Sequence, residues 1–141
     1  MAGLAFKSVL PTGRKELGDL VEIYDFFFDG FDLPGFVDAP AIIVLAARNV
    51  QLAQNFITVN APPESASMSF AEAKQSECFI WRILPNPTEN WILQVHQINP
   101  GKLKSAGNVL GFHSRDVNGE PAPGSDNFAI ARIFVIYYSS E

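Results

Sequence analysis

Prolines and glycines are the residues that most constrain the fold of this 141-residue chain. There are ten of each, spread along its length. Proline removes a backbone hydrogen-bond donor and glycine weakens regular structure, so few stretches can sustain a long helix. The segments between them are short and rich in aromatic and β-branched residues, which favour strands. The pattern therefore predicts an all-β fold, a single antiparallel β-sandwich or small barrel with long loops.

Five segments have the character of strands, and they are residues 21–28, 40–47, 76–84, 91–98 and 127–139. Two of these, 40–47 and 127–139, are apolar at consecutive positions, as expected of strands buried on both faces. We therefore expect 127–139 to be a central strand.

The segment 91–98 alternates cleanly. Trp91, Leu93 and Val95 point to one face, while Gln94 and His96 point to the other. The preceding "NPTEN" at 86–90 has the composition of a turn, so residues 77–98 are predicted to form a β-hairpin.

The length fits one β domain over residues 1–141. Residues 1–19 are a possible N-terminal arm. Residues 99–127 hold five of the ten glycines and three of the ten prolines, which predicts a long projecting loop. A second loop is predicted over 57–69. Ser69 and Glu72 form a capping box that favours a short helix within 69–77.

Charge is scarce in this sequence. Charged residues make up 18% of the chain, below the roughly 25% of an average globular domain. A surface so poor in charge predicts that part of it is covered, either in a homo-oligomer or by other structural proteins of a larger particle. The ten basic residues are scattered, and this pattern excludes a phosphate-binding stripe, so we expect no nucleic-acid partner.

Membrane insertion is not expected either. The longest apolar run, residues 39–47, is nine residues long, too short to cross a bilayer as a helix. The N-terminal residues lack the continuous apolar stretch of a signal peptide. These features predict no membrane partner and a cytoplasmic or virion location.

Residues that could carry catalysis are few. His113, Ser114 and Asp116 stand close together in "FHSRD", but a catalytic triad is assembled from separated segments. The two histidines lack the spacing of a zinc site. Cys78 lies in an apolar strand without a nearby base, which predicts a buried, unreactive thiol. We predict no enzymatic activity, no catalytic residues, no metal and no cofactor.

The sequence "FFFDGFDLPGF" at 26–36 is unusually aromatic for a segment with two glycines and a proline. Phe26 and Phe28 share one strand face and are predicted to be core residues. Phe31 and Phe36 flank the turn at Pro34, and we expect them nearer the surface, in contact with a neighbouring subunit.

Phe31, Phe36 and the "PAIIV" that begins at Pro40, followed by "ECFIWRI" at 77–83, resemble a pattern of phage tail-fibre tips and H-type lectin-like modules. The resemblance covers about residues 21–84. It implies a trimeric or hexameric β-sandwich that binds sugars or other virion proteins.

Three functions remain open. The first is a non-enzymatic structural protein of a virion, such as a phage head-decoration (capsid decoration), tail or fibre component. The second is a lectin-like module that binds glycans by stacking on aromatic residues, for which the candidates are Trp81, Trp91, Tyr137 and Tyr138. The third is a small-barrel isomerase or lyase with an aspartate or histidine in an apolar cavity.

Overall fold

A computed structural model of the chain describes residues 3–121 and 123–141. Its strands are β1 Gly3–Leu17, β2 Asp25–Phe31, β3 Ala41–Arg48, β4 Phe56–Val59, β5 Phe79–Arg82, β6 Ile92–Ile98, β7 Asn108–His113 and β8 Phe128–Ser139. They form two four-stranded antiparallel sheets, ordered β1-β8-β3-β6 and β2-β7-β4-β5. The predicted fold class, an antiparallel β-sandwich, is confirmed.

The connectivity is more specific than a sandwich. The chain pairs β1 with β8, β2 with β7, β3 with β6 and β4 with β5. A hairpin of four such pairs, folded over so that alternate pairs enter opposite sheets, is a jelly roll. The two sheets enclose one main hydrophobic core, which contains Leu45, Ile57, Leu110, Ile130 and Val135.

Helical structure is short, as the prolines and glycines predict. The helix α1 spans Phe70–Lys74, and one 3-10 turn spans Pro63–Ser65. The predicted capping box is confirmed: the Ser69 hydroxyl accepts a hydrogen bond from the Glu72 amide, and the Ser69 amide donates to the Glu72 carboxylate. No helix in the described residues is long and apolar enough to cross a membrane.

Strand β8 contains a bulge at Arg132, the charged residue within its apolar sequence. Arg132 has a φ of 51°, and the register with β3 shifts between Val44 and Ala46. The bulge changes the phase of the side chains, so Ile130 points into the core before it and Ile133 after it. β8 is a central strand, as predicted, and so is β3. The expected burial of β3 on both faces is wrong, because its outward residues Ile42 and Val44 are half-buried.

The predicted hairpin over 77–98 is wrong. Its two strands lie in different sheets, because β5 pairs with β4 and β6 pairs with β3. The "NPTEN" segment is therefore a connection between the sheets. Asn86 secures it by donating to the carbonyls of Ala47 and Asn90, and its backbone forms a bridge with Val50.

Three segments left without strands by the sequence are part of the sheets. The predicted loop 57–69 begins with residues of β4. The possible arm contains β1, an edge strand that accommodates Pro11 and Gly13 at register shifts between Ser8 and Arg14. The predicted loop 99–127 contains β7, the neighbour of both β2 and β4. Its remaining residues connect β6 to β7 and β7 to β8.

Candidate functional site

The outer side of the β1-β8-β3-β6 sheet is apolar across all four strands. We name it the outer apolar face, and its residues are Leu4, Phe6, Ile42, Val44, Leu93, Val95, Phe134, Ile136 and Tyr138. The register aligns them in rows, since Phe6 and Ile42 both lie opposite Ile136, and Val44 lies between Phe134 and Val95. Ser8 and Gln97 complete the rows of Phe134 and Ile136 and are uncharged. The row of Leu93 runs through Ala46 to Arg14 on β1.

Strand β6 shows how unusual this face is. Leu93 and Val95 are 65% and 56% exposed, whereas Gln94 and His96 on the inner side are buried. A strand with one solvated face normally points its apolar residues inward. The predicted alternation of β6 is confirmed, but its apolar side points outward.

The inner side of β6 is satisfied by hydrogen bonds. Gln94 accepts from the Leu84 amide at 2.8 Å, and its side-chain oxygen lies 2.7 Å from Nε2 of His96. Residue Leu84 lies just beyond β5. The Gln94 side chain therefore connects the edges of the two sheets, which explains why a polar residue is retained on the inner side.

The outer apolar face has a hollow at one edge and a ridge at the other. A hollow of about 310 Å³ lies between β1, β8 and β3, lined by Leu4, Phe6, Val44, Phe134 and Ile136. The Phe6 and Phe134 rings meet edge to face at 6.2 Å. Leu93 and Val95 form a ridge on β6, at the opposite edge of the same face.

One end of this face is basic. A second hollow, of about 400 Å³, is lined by Arg14, Arg132, Trp91 and Leu93. The Arg48 guanidinium lies over the Trp91 ring at 4.5 Å. Arg14 and Arg132 are exposed at this end of the face, whereas Arg48 is half-buried.

The most polar part of the interior lies in the other sheet, where Asp25, His113 and Thr58 meet. His113 Nδ1 lies 2.6 Å from the Asp25 carboxylate, and His113 Nε2 lies 2.8 Å from the Thr58 hydroxyl. The strands that supply them, β2, β7 and β4, are adjacent in the sheet. The order hydroxyl, imidazole, carboxylate is that of a catalytic triad.

Protonation in this network follows from burial and charge. Burial works to raise the pKa of Asp25, but hydrogen bonds from His113 and Arg115 and the charge of Arg115 outweigh it, so this pKa lies below its ordinary value. Burial lowers the pKa of His113, against the opposing effect of Asp25. His113 is therefore neutral, donates from Nδ1 to Asp25, and accepts at Nε2 from Thr58.

The same network is closed to solvent. The side chains of Thr58 and His113 are fully buried. The Phe56 ring stacks on His113 at 4.4 Å, and Phe27 packs against its edge at 5.5 Å. Because a substrate atom could not reach the hydroxyl, this arrangement serves to hold three strands together in the folded state.

Arg115 completes the network. Its side chain is fully buried, and its Nη2 donates to the Asp25 carboxylate at 2.8 Å. Its remaining donors bond the carbonyls of Met68, Tyr24 and Ser114. The segments around β2, α1 and β7 are thus joined by one buried cation.

The residues grouped in "FHSRD" have separate structural roles. Ser114 donates to the Asp126 carbonyl, and Asp116 accepts from the amides of Asn118 and Glu120 in a turn. His113 bonds to neither of them. The sequence does not reveal the pairing of His113 with Asp25 and Thr58, because these partners are 88 and 55 residues away.

The phenylalanines of 26–36 are buried in a different order from the one predicted. Phe31 is 9% exposed and belongs to the core, whereas Phe26 and Phe28 are half-buried at its margin, as is Phe36. The prediction that Phe31 lies nearer the surface than Phe26 is wrong, because the irregular register at the end of β2 turns Phe31 inward opposite Asn108. Its side chain leaves little surface for a partner.

The aromatic residues proposed for ligand stacking do not form one site. Tyr137 is buried with its hydroxyl donating to the Pro34 carbonyl, so it cannot stack on a ligand. Tyr138 and Trp91 flank opposite ends of the β1-β8-β3-β6 sheet, and Trp81 lies on the other sheet. Trp81, Trp91 and Tyr138 are exposed.

A hollow of about 680 Å³ lies at one end of the sandwich. Asn60, Ser76, Glu77, Cys78 and Lys102 are among its lining residues. Cys78 is buried, as predicted, with its sulfur 3.1 Å from the Ser76 hydroxyl. Lys102 donates to the Glu77 carbonyl. Among the described residues there is no cluster of three His, Cys, Asp or Glu side chains that could hold a metal ion.

Comparison with known proteins gives no family for this chain. No protein-family model matches it, and no curated protein is significantly similar to it in sequence.

Proposed function

We propose that this protein is a non-enzymatic structural protein that acts through protein–protein contacts, as a component of a virion such as a head-decoration, tail or fibre protein. The observation that carries the proposal is the outer apolar face. Monomeric soluble proteins rarely expose a contiguous apolar surface larger than a few hundred Å², and larger patches mark interaction sites. Here the patch has members on all four strands, and the charged residues Arg14 and Arg132 stand at its end.

The reversed polarity of β6 supports the same conclusion. Placing Leu93 and Val95 in water offers no gain to an isolated sandwich, while the inner Gln94 and His96 need specific partners. The arrangement is favourable when the outer side is covered, since burying apolar surface contributes roughly 25 cal/mol per Å².

The virion assignment is supported by the fold and by composition. Jelly rolls are common in capsid proteins, although fold alone does not determine function. The low fraction of charged residues, 18%, fits a protein whose surface is largely covered in an assembly.

Sedimentation velocity at micromolar concentration and physiological salt tests the proposal. We expect the wild-type protein to sediment as an assembly of defined size rather than as a 15.5 kDa monomer. Val95→Asp should shift it to the monomer. Val117→Asp is the matched control, because Val117 is 68% exposed in a loop away from the outer apolar face. A wild-type monomer that is unaffected by either substitution would refute the assembly role.

A lectin-like function is the second candidate, and Trp81 is the observation that favours it. Its ring is more than half exposed on the β2-β7-β4-β5 sheet, beside Phe79 at 6.4 Å. An exposed tryptophan offers a flat surface on which a sugar can stack. Binding on a glycan array that is lost in Trp81→Ala and kept in Trp91→Ala would favour this function over the first.

A further inference from the structure

The outer apolar face has features that identify its partner. Five of its nine side chains are between 44% and 70% exposed. Side chains of this size and exposure present together on the order of 600 Å² of accessible surface. The half-buried members add to this, which brings the face close to the roughly 800 Å² that each partner contributes to a standard interface.

The hollow and the ridge lie at opposite edges of this one surface. The hollow is centred on Phe6 and Phe134 near β1, and the ridge consists of Leu93 and Val95 on β6. When two such faces meet about a two-fold axis that runs along the strands, β6 of each copy lies over β1 of the other. Such an axis keeps each residue at its own height along the strands, so Val95, which lies in the row of Val44 and Phe134, comes over the hollow of the partner. The contact occurs twice, as two-fold symmetry requires.

Sheet geometry and charge are compatible with this packing. Two sheets pack face to face with their strands within about 30° of each other, separated by roughly 10 Å. The rows that contain Val95 and Ile42 carry no charge, so the contact around the hollow buries no ion without a partner. Arg14 and Arg132 remain at the end of the face, where solvent can reach them.

We propose that the partner of the outer apolar face is a second copy of this chain, packed face to face so that Val95 of each copy fills the hollow beside Phe6 of the other. This inference rests on the assembly role proposed above and specifies its first contact. It makes Phe6 and Val95 neighbours between copies, while each is far from its own equivalent.

Cross-linking between single-cysteine copies tests the contact. In a Cys78→Ala background, the Phe6→Cys and Val95→Cys proteins are refolded together and treated with a short bifunctional thiol reagent. We expect covalent dimers that join position 6 to position 95, identified by mass spectrometry, in excess over 6–6 and 95–95 dimers. Phe6→Cys refolded with Val117→Cys is the control and should give no such product.

The outcomes separate this inference from the assembly role. An assembled wild-type protein whose cross-links join 95 to 95, or that gives no 6–95 product, overturns the face-to-face arrangement and leaves the assembly role in place. A wild-type protein that is monomeric alone but binds another structural protein through Val95 also overturns it. A monomer that is insensitive to Val95→Asp overturns both.

Discussion

Val95 and His96 are consecutive residues of β6, yet the valine is 56% exposed and the histidine is 5% exposed. Adjacent strand residues always point to opposite faces, so one of any two must take the outer side. Here the apolar residue takes it, while the histidine is accommodated inside by Gln94. The face that would be solvated in an ordinary sandwich is therefore the one that carries the apolar side chains.

The same substitution on the two sides of this sheet should change the free energy of unfolding by different amounts. Val135 lies on β8, is fully buried, and points into the core. Val135→Thr places a hydroxyl there without a designated acceptor, which costs roughly 1–3 kcal/mol. Val95→Thr should change the free energy of unfolding of the monomer by about 0.5 kcal/mol or less.

Urea denaturation of the two variants, at concentrations low enough to populate monomer, measures the difference. An equal loss for Val95→Thr and Val135→Thr would mean that Val95 is part of a core and that the orientation of β6 is wrong.

The sequence predicted β6 and its alternation but not its orientation. Alternation establishes which residues share a face, whereas the choice of the inner face depends on the surrounding strands. For most strands polarity decides this choice, and for β6 it does not, because Gln94 finds its partner in the connection after β5. A local pattern carries no information about that contact.

The strands that the sequence missed have a related explanation. β7 contains Gly111, and β1 contains Pro11 and Gly13, which are residues typical of turns. Gly111 is required by a tertiary contact with Thr58 and His113, and β1 tolerates Pro11 because it is an edge strand with irregular register. By contrast, the central position of β8 was predictable, since its sequence is long and apolar on both faces of the strand.

The Asp25–Arg115 pair gives a second prediction. Arg115 is fully buried, and Asp25 is its one carboxylate partner among the described residues. Asp25→Asn removes the counter-charge and leaves the guanidinium uncompensated, so we expect a loss of about 3–5 kcal/mol in the free energy of unfolding. Asp29→Asn on the same strand is the control, because Asp29 is exposed. Similar stabilities for the two variants would contradict a structural role for the pair.

Acid should destabilise the fold before any carboxylate is protonated. Burial lowers the pKa of both His96 and His113 below the ordinary value of 6.5. Below that pH the unfolded chain takes up protons that the folded chain does not bind, so the free energy of unfolding falls as the pH falls. Each histidine can contribute at most about 1.4 kcal/mol per pH unit. The folded state should be most stable above about pH 7 and lose stability towards pH 5.

Urea denaturation at several values between pH 7.5 and pH 5 checks this expectation. His96→Gln and His113→Gln should each reduce the slope of stability against pH, whatever they do to stability at neutral pH. The lowered pKa of Asp25 acts at more acidic pH, below its ordinary value of 3.8, and so does not interfere. A slope that is unchanged in both variants would show that the histidines are not the source of the acid sensitivity.

Gly111 provides the sharpest test of the buried network. A Cβ at this position would lie 2.3 Å from the Thr58 hydroxyl, 2.7 Å from His113 Nε2 and 2.9 Å from the Phe27 ring. Gly111→Ala should therefore force the Thr58–His113 hydrogen bond apart, and overpacking of this kind costs about 1–3 kcal/mol. Gly3→Ala, where nothing lies within 4 Å, is the matched control and should leave stability unchanged. Urea denaturation gives the stabilities, and the imidazole nitrogen resonances of His113 report whether Nε2 still accepts a hydrogen bond. A Gly111→Ala protein with wild-type stability and an unchanged His113 spectrum would mean that β7 does not pack against Thr58 as described.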